Sequence, residues 1–245
     1  MERRCVGEIP IETGQRPVTA GSLPADPGRV LTTTNSLQER AAGPVLWAVI
    51  SGISGLIANV LLVFFFLLAR PFSDVQNSFG WLGTANDAAL VVQFLAMIPV
   101  ALALPRWLPR TRSVRVATAI ALGAMLVAAV LQLLLIAGAL DFDVQVFLVV
   151  AAFLLVYAWV FVVSSVGHRS GSLPRSVTRF GLLLGASFPL GLLIFAAGLL
   201  GLGSPAQLAW LAAAAWLALP IWPLLLARLV FNKPALISSY KEGLS

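Results

Sequence analysis

Polar residues collect at the two ends of the chain and in short intervals between long apolar stretches, and within those stretches there is no alternation of polar and apolar positions. Six such runs occur, at approximately Val45–Leu68, Ala88–Leu104, Val116–Leu140, Val144–Gly167, Phe180–Leu202 and Leu208–Ala227. As helices rising about 1.5 Å per residue, they cross or nearly cross a hydrocarbon core of roughly 30 Å. A transmembrane barrel would instead need short segments of alternating polarity. The pattern therefore predicts an all-α, polytopic integral membrane protein with six transmembrane helices in a bundle.

The second run is the shortest, so its helix is expected to begin upstream. Thr84 or Asn86 would be its N-cap, with Asp87 in the first turn facing the positive end of the helix dipole. "DFD" and "GSPAQ" read as tight turns, and Pro205 marks the turn before the last helix. The long connection "RPFSDVQNSFGWLGTAND" carries Phe72, Phe79 and Trp81 and is expected to lie along a membrane interface. Residues 1–44 mix Pro, Gly, Thr and balanced charge without a hydrophobic period, which predicts a disordered tail. The transmembrane domain then covers 45–231, and 232–245 form a second, short tail. The first 40 residues contain no apolar stretch of signal-peptide type, so the first span is expected to act as its own insertion signal.

Composition agrees with this picture: 59% of residues are hydrophobic and 11% charged, too few charges to solvate a globular surface. Charge then adds orientation. Of the 16 Lys and Arg residues, all but Arg70 fall before span 1, between spans 2 and 3, between spans 4 and 5, or after span 6. Asp74, Asp87, Asp141 and Asp143 lie on the other side. This positive-inside distribution predicts cytoplasmic N and C termini. It also accounts for the net charge of +6 through topology, so nucleic acid is not expected as a partner. The expected partners are the lipid bilayer, with anionic headgroups against the cytoplasmic Arg loops, and another membrane protein or a second copy of the chain. The preference for Arg over Lys, with abundant Ala, Leu and Val, points to a bacterial plasma (inner) membrane.

Candidate chemistry is sparse. Gly52-Ile53-Ser54-Gly55 resembles the G-x-S-G in which membrane-embedded serine proteases of the rhomboid kind carry their nucleophile. The resemblance covers that tetrapeptide alone and implies a histidine base on another transmembrane helix. His168 is the sole histidine, at the cytoplasmic end of span 4, whereas Ser54 lies roughly 13 Å deep in span 1 at helical rise. The physical reading differs: at 100° per residue, Ser51, Gly52, Ser54, Gly55, Ala58 and Asn59 form one stripe of small and polar side chains, which lets helices approach closely in lipid. Gly181 and Gly185 form a G-x-x-x-G expected to be its partner face.

One histidine excludes paired-His haem ligation and H-E-x-x-H zinc sites, and one cysteine excludes thiol redox cycling, so no cofactor or metal is expected. No Asp, Glu, Lys or Arg lies deep inside the six runs, which argues against an enzyme of ordinary type. The remaining polar groups are carboxamides. Asn59, Gln93 and Gln132 fall roughly 9–15 Å below the outer surface at helical rise, with Asn86 on nearly the same face as Gln93 and with Asp87 and Gln145 near the outer mouth. They would either tie helices together or line a small outward-facing cavity. Two functions follow: a membrane interaction or assembly subunit, or, alternatively, a channel or transporter for a neutral or weakly polar solute.

Overall fold

The computed structural model describes the backbone of residues 27–69, 79–199 and 206–231, and the side chains of residues 43–68, 79–198 and 211–231. The first 26 residues of the expected N-terminal tail, Phe72, Pro205 and the tail 232–245 lie outside the described residues. The chain divides into two units, Met1–Ser36 and Leu37–Ser245, and the second holds the packed helices. Among the described residues all regular structure is helical.

Helix α1 runs Pro27–Phe64 and continues as a π-helical turn, Phe65–Ala69. Its backbone is thus helical over 27–44, where composition predicts no regular structure; Pro27 suits a first helical position, and Leu37 to Ala42 are strong helix formers. Helix α2 is Trp81–Ala103, with a 3₁₀ turn at Leu104–Trp107. The cap is Gly80 rather than Thr84 or Asn86. Leu82 is buried, and Gly83 lies against the Phe65 ring, so packing extends the helix past the expected caps. Asp87 consequently sits in the second turn, within a helix long and apolar enough to cross a membrane.

Helices α3 (Arg112–Ile136) and α4 (Phe142–Ser170) form a hairpin, as do α4 and α5 (Arg175–Leu199). Thr111 caps α3 by accepting from the Val114 N–H at 3.3 Å. Gly138 and Gly171, after α3 and α4, have φ of 67° and 65°, the left-handed conformation that glycine adopts without a Cβ penalty. These turns put Arg106, Arg110, Arg112, Arg115, Arg169, Arg175 and Arg179 at one end of the helices.

Among the described residues, five helices are long and apolar enough to cross a membrane, and a bent pair makes a sixth if it is one span. The last apolar run is not the continuous helix that its hydropathy suggests. It divides into α6 (Ala206–Ala218) and α7 (Ile221–Leu226), the latter prolonged by a π-helical turn to Phe231, and the two segments meet at 43°. Two prolines are the cause. Pro220 offers no N–H to the Trp216 carbonyl and Pro223 none to that of Leu219. Shorter 3₁₀-type bonds take their place, Leu219 N–H to Trp216 O and Trp222 N–H to Leu219 O, both at 3.2 Å.

The break is seated on α1. The stripe Ser51, Gly52, Ser54, Gly55, Ala58 and Asn59 is buried, while Ile53 and Ile57 on the opposite face are each 50% exposed. A Cβ on Gly55 would stand 2.6 Å from the Pro220 ring and from the Gln93 carboxamide carbon. A Cβ on Gly52 would meet the Leu224 side chain and stand 2.9 Å from the Pro220 carbonyl. The face opposite this stripe is therefore not Gly181 and Gly185, as the sequence suggests. Gly181 lies under Ser164 of α4 and Trp222 of α7, and Gly185 against Phe161 and the Tyr157 carbonyl of α4. The G-x-x-x-G serves α5 against α4 because the hairpin makes those two helices neighbours.

Ser54→Ala is expected to change stability by less than about 1 kcal/mol, because Ser54 donates to carbonyls of its own helix, whereas Gly55→Leu should cost roughly 1–3 kcal/mol or more through overpacking against Pro220 and Gln93. Thermal unfolding in detergent micelles measures both, and equal losses would contradict the packing described.

Candidate functional site

At the break the Leu217 carbonyl has no helical continuation, and in hydrocarbon no water would replace it; the Ala215 carbonyl keeps its helical bond from the Leu219 N–H at 3.1 Å. Two other helices supply donors. Asn59 of α1 gives its Nδ2–H to the Leu217 carbonyl at 2.8 Å, and Tyr157 of α4 gives its hydroxyl to that of Ala215 at 3.0 Å. Asn59 can reach because the small residues preceding it bring α1 close to the break. The Tyr157 ring is held in place by Phe188 of α5, stacked at 4.2 Å and 11°.

The other intramembrane polar groups make separate ties. Gln145 of α4 donates to Gln132 of α3 at 2.8 Å, with both side chains buried. Trp159 of α4 donates its indole N–H to Thr118 of α3 at 3.2 Å. Ser51 of α1 donates to the Gln93 carbonyl of α2 at 3.1 Å, and the Gln93 carboxamide lies over Gly55. Asn86 donates to the neighbouring Asp87 carboxylate at 3.1 Å. Asn59, Gln93, Gln132, Asn86 and Asp87 thus occupy four different contacts rather than one shared chamber. Similar depth along the sequence does not give a common direction, because each helix is rotated by its own packing.

The candidate serine and histidine are also apart in their bonding. Ser54 Oγ donates to the carbonyl of Ile50 at 2.7 Å and of Ser51 at 3.2 Å. His168 Nδ1 pairs with the Thr178 hydroxyl at 3.2 Å, and Thr178 in turn donates to the Arg175 carbonyl at 3.1 Å. The histidine therefore pins the turn between α4 and α5. Among the described residues, no group of three His, Cys, Asp or Glu side chains could hold a metal ion.

A cavity of about 420 Å³ lies between α1, α4, α5 and α6. Leu62, Val63, Phe66, Val150, Phe188, Leu192, Ala212, Ala213, Trp216 and Leu217 line it, and none of the carboxamides does. Its floor belongs to an aromatic cluster in which Trp216 stacks on Phe153 at 4.0 Å and 10°. A second internal feature is the pair Ser164 Oγ and Trp222 Nε1. Both are buried without a hydrogen-bond partner, and both lie over Gly181.

Periodicity and hydropathy miss the break, the Tyr157 donor and the cavity, while Asn59 is among the carboxamides that the sequence singles out as a possible tie between helices. Pro220 and Pro223 inside the last run are the available signal for the break, although Pro99 and Pro189 sit inside α2 and α5 without dividing them. Nothing local marks Tyr157 as a donor to another helix. Comparison of the chain with models of known protein families, with curated proteins and with solved structures finds no match.

Replacing Asn59 by Leu should lower stability by about 1–2 kcal/mol, because the Leu217 carbonyl is left unpaired in an apolar setting. A double-mutant cycle of Gln132→Leu and Gln145→Leu should give a coupling of about 0.6–1.7 kcal/mol, measured by unfolding in micelles. Strict additivity would remove this tie.

Proposed function

We propose that this chain is a multi-pass plasma-membrane protein without enzymatic activity, with both termini cytoplasmic, that acts as an interaction or assembly subunit. One observation carries the reading: Ser51, Asn59, Gln132, Gln145, Tyr157 and Trp159 direct their polar atoms to other helices, two of them to carbonyls of the broken span. A bundle tied in this way is a rigid body whose apolar exterior and basic end remain free for lipid and for another membrane protein or a second copy. The arginines gathered at one end support the orientation, since charge bias sets topology, and they suit anionic headgroups on the cytoplasmic side. The bonds made by Ser54 and His168 support the absence of a serine-type mechanism.

The broken span favours a second reading, passage of a neutral or weakly polar solute. Interrupted helices in transporters place backbone groups at a central binding site. Against it, the Leu217 and Ala215 carbonyls at this break accept from Asn59 and Tyr157.

Co-purification in mild detergent, followed by mass spectrometry, separates the readings. A stoichiometric protein partner or self-association is expected; a retained polar solute would favour transport. After Cys5→Ala, a cysteine replacing Gln93 is expected to resist a small water-soluble thiol reagent added from outside, because thiolate formation needs water. Strong labelling would overturn the assembly reading. Reporter fusions after Asp143 and after Ser245 should report outside and inside respectively, and an outside signal from the C-terminal fusion would reverse the topology.

A further inference from the structure

We propose that the cavity between α1, α4, α5 and α6 is a binding site for one acyl chain of a membrane phospholipid. Trp216 carries the one side-chain hydrogen-bonding group among the ten lining residues, and no polar surface faces the cavity, so a polar ligand would lose its hydrogen bonds to water and gain none. Water itself is disfavoured for the same reason, since apolar cavities stay dry and take apolar guests. Leu62 lies seven residues before the end of the π-helical turn and Ala212 six after the start of α6, which places the cavity roughly 10 Å inside the helix ends at helical rise. At that depth the medium beside the protein is acyl chain, within a core about 30 Å thick.

The mouth opens sideways. Val63 of α1, Phe66 of the π-helical turn that follows it and Leu217 of α6 are 45%, 46% and 40% exposed, while Phe188 at the floor is 2% exposed. A chain entering between α1 and α6 would therefore pass below the helix surface, unlike a lipid lying along it. The floor is already formed, because Trp216 and Phe188 are each held by a stacked ring, so seating a chain requires little reordering. A volume of about 420 Å³ falls in the range of ligand sites and is too small for a helix some 10 Å across. Leu217 both lines the cavity and offers its carbonyl to Asn59, so a seated chain would pack on the turn that ends at the break.

This inference presumes that the helices lie in a bilayer and is independent of the assembly reading, which co-purification of a protein partner decides separately. The test uses the full-length protein, delipidated in detergent and incubated with dioleoyl phosphatidylcholine, with bound lipid counted by native mass spectrometry. One phospholipid per chain is expected to survive conditions that strip surface lipid. Val150→Phe, which fills the cavity wall, should retain about tenfold less, as should Ala213→Phe from the mouth, which serves if the first variant does not fold. Val130→Phe, at an exposed position on α3, should retain the full amount. A phosphatidylcholine brominated on one acyl chain should quench the Trp216 emission, taken as the difference between the unmodified protein and Trp216→Phe, and Ala213→Phe should relieve that quenching. Equal retention by the unmodified and filled proteins, absence of a retained lipid, or a lipid-free dimer would each overturn the proposal.

Discussion

A helix that breaks within an apolar span leaves carbonyls that neither its own backbone nor water can satisfy, and in this protein the arrangement around α6 and α7 follows from that constraint. Pro220 and Pro223 remove two backbone donors within four residues. Local 3₁₀ bonds recover the Trp216 and Leu219 carbonyls, Asn59 serves that of Leu217, and Tyr157 adds a second donor to the Ala215 carbonyl beside the Leu219 N–H. Each of these side chains comes from a different helix, so the break is also the place where α1 and α4 are fixed relative to α6. An unpaired amide in hydrocarbon costs several kcal/mol, more than most single packing contacts contribute.

The small-residue stripe of α1 makes sense in that light. Gly52 and Gly55 stand where Pro220 and Leu224 approach most closely, and Asn59 lies one turn further along the same face. The stripe does two jobs at once: it admits the bulky proline corner and it aims an amide at a carbonyl. Ser54, which carries the one suggestive motif in the chain, points its hydroxyl back into its own helix. Its neighbours explain its small size.

The aromatic cluster is the second organising element. Phe153, Tyr157, Phe188 and Trp216 pair into two stacks that link α4, α5 and α6 and leave an apolar chamber beside them. Rigid rings do not collapse to fill space as flexible aliphatic chains do, so a chamber bordered by stacked rings persists in a close-packed interior. Its opening between α1 and α6 lies beside the break, since Leu217 belongs to both.

Length and hydropathy by themselves determined that the chain is helical and apolar enough to cross a membrane, because a 3.6-residue helix is the simplest way to satisfy every backbone group of a long apolar segment. They also located five helices long and apolar enough to be spans, although the second begins at Trp81 rather than near Ala88, and identified Ser51 to Asn59 as a face of small residues. Apart from α1, whose small-residue face marks its buried side, rotation of each helix about its axis was not legible in a local pattern, so Asn59, Gln93 and Gln132 have similar depths but different partners. The fate of Pro220 was likewise undetermined, since Pro99 and Pro189 are accommodated in helices that continue. Tertiary packing decided both, because only there do a proline corner, two glycines, an asparagine and a tyrosine from separate parts of the chain meet, and only there does Asn59 reach the Leu217 carbonyl that the break exposes.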